Sequence, residues 1–180
     1  MEEWVDLLDE QGNYTGRTAL KSVAHANGLF HPTVHIWCYS SQGKVLLQQR
    51  GALKKSYPLK WDVSVAGHVA AGETLETGAI REVAEEIGVK IDVSQLQKIR
   101  VFKTEKKHDA TFWDREFTHT YCCLLAEDTP LTKQDSEVEA LQWITFEAFE
   151  TKVKAGDPNF ILEAQERHLR ILKELRLKLQ

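Results

Sequence analysis

The 180 residues include only three cysteines, four prolines and one methionine. Three thiols cannot make a paired disulfide framework, and Cys122 and Cys123 are neighbours whose side chains would leave a strand on opposite faces. Cys38, Cys122 and Cys123 therefore read as small packing residues, not as staples or nucleophiles. No apolar stretch approaches the length of a bilayer span, and the opening Met1-Glu2-Glu3-Trp4 is acidic where a secretory signal would be basic and then apolar. No membrane association and a cytoplasmic location are expected. Nor is there an excess of positive charge: 23 lysines and arginines against 27 acids leave a net charge of −4, so no nucleic-acid partner is expected.

Internal repeats, low-complexity tracts and Gly/Ser/Pro-rich linkers are also missing, which leaves one domain over residues 1–180 as the expectation. Its core should run from about 30 to 154, with an N-terminal hairpin and short helix and a C-terminal helix as additions. At 42% hydrophobic and 28% charged residues the chain can bury a sizeable core.

Patterning predicts a hairpin from Trp4–Leu8 and Tyr14–Thr18, a short helix near Ala19–His25, and paired strands Thr33–Tyr39 and Val45–Arg50 about the turn Ser41-Gln42-Gly43. A basic loop, Gly51–Leu59, leads to a strand over Trp61–Val69, in which Asp62, Ser64, Ala66 and His68 share a face. Leu75–Ile87 is the clearest helix, with Thr74 as cap and Gly88 as stop. Strands over Lys98–Lys103 and Phe112–Leu125, separated by a charged loop at Glu105–His108, precede a strand at Leu141–Thr145 and a helix at Phe146–Lys154. Asp157-Pro158 should open a last helix, whose Ala164, His168, Ile171 and Leu175 form a packing stripe. Strands interleaved with helices give an α/β or α+β fold class, a mixed sheet between helices.

On the helix 75–87, at roughly 100° per residue, Glu82, Glu85 and Glu86 project from one side and Ile80, Val83, Ala84 and Ile87 from the other. Like charges at these spacings repel by a few tenths of a kcal/mol per pair, so something should compensate. Hard divalent cations such as Mg²⁺ or Mn²⁺ take oxygen ligands and suit such a cluster, especially opposite a phosphate. Arg81 can orient a carboxylate through a bidentate pair.

The complete spacing is Gly67, five residues, Glu73, seven residues, Arg81-Glu82, an aliphatic, any residue, Glu85-Glu86, any residue, Gly88 and an aliphatic. It matches the Nudix box without departure, and the chain resembles the Nudix hydrolase superfamily over those 23 residues. The resemblance implies that Glu82, Glu85 and Glu86 ligate Mg²⁺ or Mn²⁺, that Arg81 orients them and that Glu73 braces the loop. It implies attack of water on one phosphorus of a small-molecule diphosphate, a nucleoside diphosphate derivative or a related compound, with a glutamate taking the proton. Glu86 ranks first for that role, and Glu137, in the loop before Val138, second.

A second resemblance, to type I isopentenyl-diphosphate isomerases, rests on Leu46-Leu47-Gln48-Gln49-Arg50, Lys54-Lys55, Tyr57-Pro58, Trp61 and Ala66-Gly67-His68. It implies that His25, His31, His68, Asp114 and Glu116 stand where those enzymes hold a metal, with Asp114 in place of a glutamate. Glu116 is carried forward as a metal ligand, and His68, Arg50 and Lys55 as contacts for substrate phosphate. The isomerases act through a cysteine just before the Gly-His pair. Here that position is Ala66, whose methyl group exchanges no proton, so isomerisation by that route is not expected. A nucleotide-sensing module without turnover is the other alternative; the intact glutamates favour hydrolysis. The sequence is compatible with a monomer or a homodimer.

Overall fold

The computed structural model describes residues 2–180. An N-terminal hairpin, β1 (Trp4–Leu8) and β2 (Tyr14–Leu20), turns through Gly12 into antiparallel pairing and is followed by a short helix, α1 (Lys21–Asn27). The remaining strands form a mixed seven-stranded sheet. At its centre lies β3 (His31–Tyr39), which pairs in parallel with β8 (Trp113–Leu124) from His31 opposite Glu116 to Tyr39 opposite Leu124. Antiparallel to β8 runs β7 (Gln97–Lys107).

On its other edge β3 meets β4 (Lys44–Arg50) through Tyr39 and Val45, and the two strands then diverge. The fork is filled by the segment expected to be one strand over 61–69. It breaks at Val63-Ser64 into β5 (Trp61–Asp62), paired with β4, and β6 (Val65–His68), paired with β3. The break has a hydrogen-bonding reason. Ser64 sits in the crotch, where its hydroxyl accepts from the Cys38 backbone N–H at 2.8 Å and donates to the Leu46 carbonyl, satisfying groups that the splayed strands leave unpaired. Beyond it, β9 (Val138–Thr145) pairs with β4 along its length.

Helices cover both faces. On one, α2 (Leu75–Ile87) buries Ala79, Val83 and Ile87 against Val34, Ile36, Leu46, Val65 and Tyr121. Thr74 caps it by accepting from the Thr77 N–H at 3.1 Å, and Gly88, at φ +73°, ends it in the left-handed conformation that glycine adopts without strain. Ala84, expected on the packing face, is exposed instead, because the buried arc is centred on Val83 and reaches round to Glu82 and Glu86. The opposite face carries α3 (Phe146–Lys154) and α4 (Gln165–Leu177), whose Phe149, Ile171, Leu172 and Leu175 pack on Trp37, Tyr39, Leu47 and Cys122. Fully burying each such aliphatic side chain stabilises the fold by about 1.5–3 kcal/mol.

Other boundaries differ from expectation too: β9 starts at Val138, not at Leu141, and α1 starts at Lys21, with Ala19 and Leu20 still in β2. The hairpin joining β7 and β8 is longer than the pattern suggested: pairing continues to Lys107 opposite Trp113, and the turn lies at 108–112, where the Asp109 carboxylate accepts from the Thr111 N–H. α4 begins at Gln165, not at Asp157. The Asp157 carboxylate accepts from the Asn159 N–H and fixes a turn, while the Asn159 carbonyl accepts from the Trp61 N–H at 2.8 Å and commits its peptide to the sheet edge. No helix among the described residues is long and apolar enough to cross a membrane.

Candidate active site

The fork sets the geometry of the site. Past Ser64, the Ala66 N–H of β6 faces the diverging β4 with no strand partner there, and Glu86 reaches into the gap from α2. Its Oε2 accepts from the Ala66 N–H at 3.0 Å and from Gln48 Nε2 at 2.9 Å. At 1% exposure, burial pushes the Glu86 carboxyl up to about 8. Glu82, one turn earlier and 8% exposed, lies against the backbone of Gly67, where an added Cβ would stand 2.0 Å from the carboxylate carbon. Burial raises it to about 7 against the pull of Arg81. Glu85 is exposed.

One guanidinium ties these groups together. Arg81 donates twice to Glu73 at 2.9 Å, to the His68 carbonyl at 2.9 Å, to Glu82 at 2.8 Å and to Glu85 at 3.1 Å. Glu73 also accepts from the Ala70 N–H, so the loop and helix are clamped through the 73–81 pair. That planar fork offers five N–H groups in fixed directions, where an ammonium offers three from a single point.

Glu137 reaches the same neighbourhood because its carbonyl accepts from the Gly51 N–H, while the preceding loop bonds to the carbonyls of Glu86 and Ile87 at the end of α2. Its carboxylate is paired with Lys54. Burial would raise this carboxyl, but the ammonium outweighs it and holds Glu137 below the ordinary range.

On the other face of the sheet, the parallel register of β3 and β8 sets His31 beside Glu116, and β6 adds His68 while α1 adds His25. One ligand atom from each of His25, His31, His68 and Glu116 lies within 4.8 Å of the others. The hydrogen bonds set the tautomers. His31 Nδ1 donates to the Leu29 carbonyl at 2.8 Å, and His25 Nδ1 to the Trp113 carbonyl at 3.0 Å, so both Nε2 lone pairs point inward, that of His25 accepting from His68 Nε2 at 3.1 Å. Among the described residues the buried His31 Nε2 has no hydrogen-bond partner. Glu116 is 15% exposed at its side chain and is raised to about 7, by burial first and by Asp114 next. Asp114 does not join the quartet: it accepts from His108 at 2.7 Å and lies 3.3 Å from His25 Nδ1, bracing that ring.

Glu82, Glu85, Glu137, Arg81, His68, Glu116, Arg50 and Lys55 thus all line one cavity of about 1110 Å³, and Glu86 lies just behind its wall. Of the expected phosphate contacts, Arg50 is committed inward, donating to the Ser56 carbonyl at 3.1 Å and standing 3.6 Å from Asp62, whereas Lys55 is exposed with its ammonium 5.8 Å from the Phe112 ring centre. Sequence reasoning did not single out Gln48 as a site residue, although a polar residue following Val45-Leu46-Leu47 in a strand was a signal. It had no means of finding His35 or Arg167 on the cavity wall, because neither belongs to a motif.

The NUDIX domain model matches residues 29–164. Nudix hydrolase 3 of Arabidopsis thaliana is 34% identical over 165 residues, covering 89% of this chain; the chain spans 21% of that protein's length. The isopentenyl-diphosphate Delta-isomerase of Nocardia farcinica is 33% identical over 141 residues, 78% of each chain. Among solved structures, a Deinococcus radiodurans protein superposes with a TM-score of 0.68 at 24% identity, covering 86% of this chain and 90% of its own. The Nudix domain of NrtR from Shewanella oneidensis, solved in complex with ADP ribose, superposes at 0.57 with 19% identity over 83% of this chain and 88% of its own. These two likenesses concern the fold. With the family model spanning β3 to the start of α4 and the intact glutamate box at the fork, the chain belongs to the Nudix hydrolase family.

Proposed function

We propose that this protein hydrolyses the diphosphate linkage of a nucleoside diphosphate derivative or related small molecule with the help of Mg²⁺ or Mn²⁺. The observation that carries the reading is the placement of Glu82 and Glu86: two carboxylates, nearly without solvent, are held side by side at the edge of a cavity large enough for a nucleotide. Buried acids so close to one another are costly without a cation, and oxygen donors of this kind fit a hard divalent metal. Glu82, Glu85 and Glu86 are the proposed ligands, with Glu116 available from the opposite wall. A metal bound there would neutralise charge on the diphosphate oxygens and favour ionisation of water.

The protein's own part follows from the contacts. Arg81 holds Glu82 and Glu85 in place. Glu86 Oε2 is fixed by Gln48 and Ala66, and among the described residues no hydrogen bond is directed to Oε1, which is left to take the proton from the attacking water. The water oxygen bonds to phosphorus, the bridging P–O bond breaks, and its electron pair leaves with the second phosphate. Lys55 would steady the phosphates, with Arg50 shaping the loop behind them, whereas His68 faces the histidine cluster. Glu137, tied to Lys54, is the second choice of base.

We further read His25, His31, His68 and Glu116 as a second, nitrogen-rich metal centre. The unpartnered His31 Nε2 and the two inward lone pairs support it, and its donors suit a transition metal better than Mg²⁺. The isomerase alternative lacks its acid-base group because Ala66 offers only a methyl. The test is turnover of a panel of diphosphates with Mg²⁺ or Mn²⁺ by wild type and Glu86→Gln. Metal-dependent cleavage of the diphosphate into its two phosphate monoesters, lost in the variant, is expected. Ligand binding without turnover would instead indicate a sensor, and deuterium uptake from heavy water into isopentenyl diphosphate would overturn the argument from Ala66.

A further inference from the structure

The cavity does not stop at the glutamates; it extends across the fork to the start of α4, and its cations are unequally engaged. Every other lysine and arginine on its wall stands within 4 Å of a carboxylate, as Lys54 does to Glu137, Arg50 to Asp62 and Lys106 to Glu163. Among the described residues Lys55 and Arg167 have no such partner and no hydrogen bond, although both line the cavity. An exposed lysine is readily solvated. A half-buried arginine without a carboxylate is different, because its guanidinium has five N–H groups to satisfy in a partly dry place.

Arg167 is aimed by its neighbour. His168 is 1% exposed, its Nε2 lies 3.5 Å from the buried Asp62, and its ring is 5.4 Å from that of Trp37. That contact fixes the rotation of α4 and turns the preceding residue towards the cavity. His35, on the floor there, is pushed down to about 3, by burial first and by the nearby Arg167 charge next. The opposite wall is Tyr57, held at φ +50°, a conformation costing a non-glycine residue on the order of 1 kcal/mol or more, with its ring 5.4 Å from that of His108. Strain at a cavity-lining aromatic fits a surface shaped for a ligand.

We propose that Arg167 forms an anion-binding subsite at the α4 end of the cavity, so that the preferred substrate carries a phosphate monoester on the group attached to its diphosphate. The inference rests on the hydrolytic reading of the same cavity and adds a substrate class to it. The C-terminal helix is then part of the recognition surface, not only a packing element. Guanidinium and phosphate meet through paired charge-assisted hydrogen bonds, which discriminate strongly between a ligand that has the group and one that lacks it.

The experiment compares ADP-ribose with ADP-ribose 1″-phosphate, which differ by one phosphate monoester on the distal sugar. Binding is measured by calorimetry in EDTA, where no metal supports turnover, for wild type, Arg167→Ala and Arg167→Lys. Wild type should bind the phosphorylated ligand about tenfold more tightly. Arg167→Ala should bring the two ligands within about twofold of each other, and Arg167→Lys should keep part of the preference. Equal affinity of wild type for both ligands, binding of neither, or a preference retained in Arg167→Ala would overturn the proposal. Because turnover is assayed separately in Mg²⁺, loss of the hydrolytic reading and loss of this subsite are told apart.

Discussion

Replacing Glu86 by glutamine should stabilise the metal-free protein, and more so as the pH rises. In the fold this carboxyl is raised to about 8 from an ordinary 4.5, with burial as the main cause. A group that binds its proton more tightly when folded contributes nothing adverse below the unfolded value. Above it, native stability falls with pH until the folded value is passed, and then levels off. At about 1.4 kcal/mol per tenfold change in proton affinity, the penalty is on the order of 3 kcal/mol at pH 7 and 3 to 5 kcal/mol above pH 8. Glutamine keeps the size and can still accept from Ala66 N–H and Gln48 Nε2, but it carries no charge. Urea unfolding in EDTA at pH 5, 7 and 8.5 should show wild type losing stability across that range and Glu86→Gln losing much less. A smaller slope should remain, since Glu82 and Glu116 are each raised to about 7 and act in the same direction. Added Mg²⁺ should restore stability to wild type at pH 8.5 far more than to the variant. Parallel pH profiles for the two proteins would refute the reasoning, because the carboxyl would then not be desolvated by the fold.

Further outcomes follow from the same contacts. Gly67→Ala places a methyl on the Glu82 carboxylate and should cost about 1–3 kcal/mol in urea unfolding together with at least tenfold in metal-dependent turnover. Arg81→Lys cannot span Glu73, the His68 carbonyl, Glu82 and Glu85 at once, so metal titrations followed by turnover should show a roughly 10- to 100-fold loss of affinity or rate. Leu175→Ala leaves a cavity between α4 and the sheet and should lower stability by about 2–5 kcal/mol, seen as a lower urea midpoint at unchanged slope.

Much of the local structure could be read from residue order, because it depends on neighbours close in the chain. The helix 75–87 with its threonine cap and glycine stop, the first hairpin, and the glutamates brought to one helix side all follow from spacing and periodicity. Periodicity was weaker where distant backbone competes for hydrogen bonds. The strand over 61–69 broke because Ser64 satisfies two other strands, and the last helix started late because Asn159 bonds to Trp61. Ala84 shows the same limit, since an apolar methyl carries no instruction about which arc of a helix the sheet will cover.

What the residue order determined by itself is the chemistry available: a glutamate box of the right types at the right intervals, and a methyl group, that of Ala66, just before Gly67 and His68. Only the tertiary structure decided how those groups are solvated and whom they meet. The fork between β3 and β4 admits Glu86 to a gap where water is excluded, the parallel pairing of β3 with β8 sets Glu116 beside His31 across 85 positions of chain, and the packing of His168 turns Arg167 into the cavity. Covalent order records identity and spacing, whereas dielectric environment and non-local proximity exist only once the strands have found their partners.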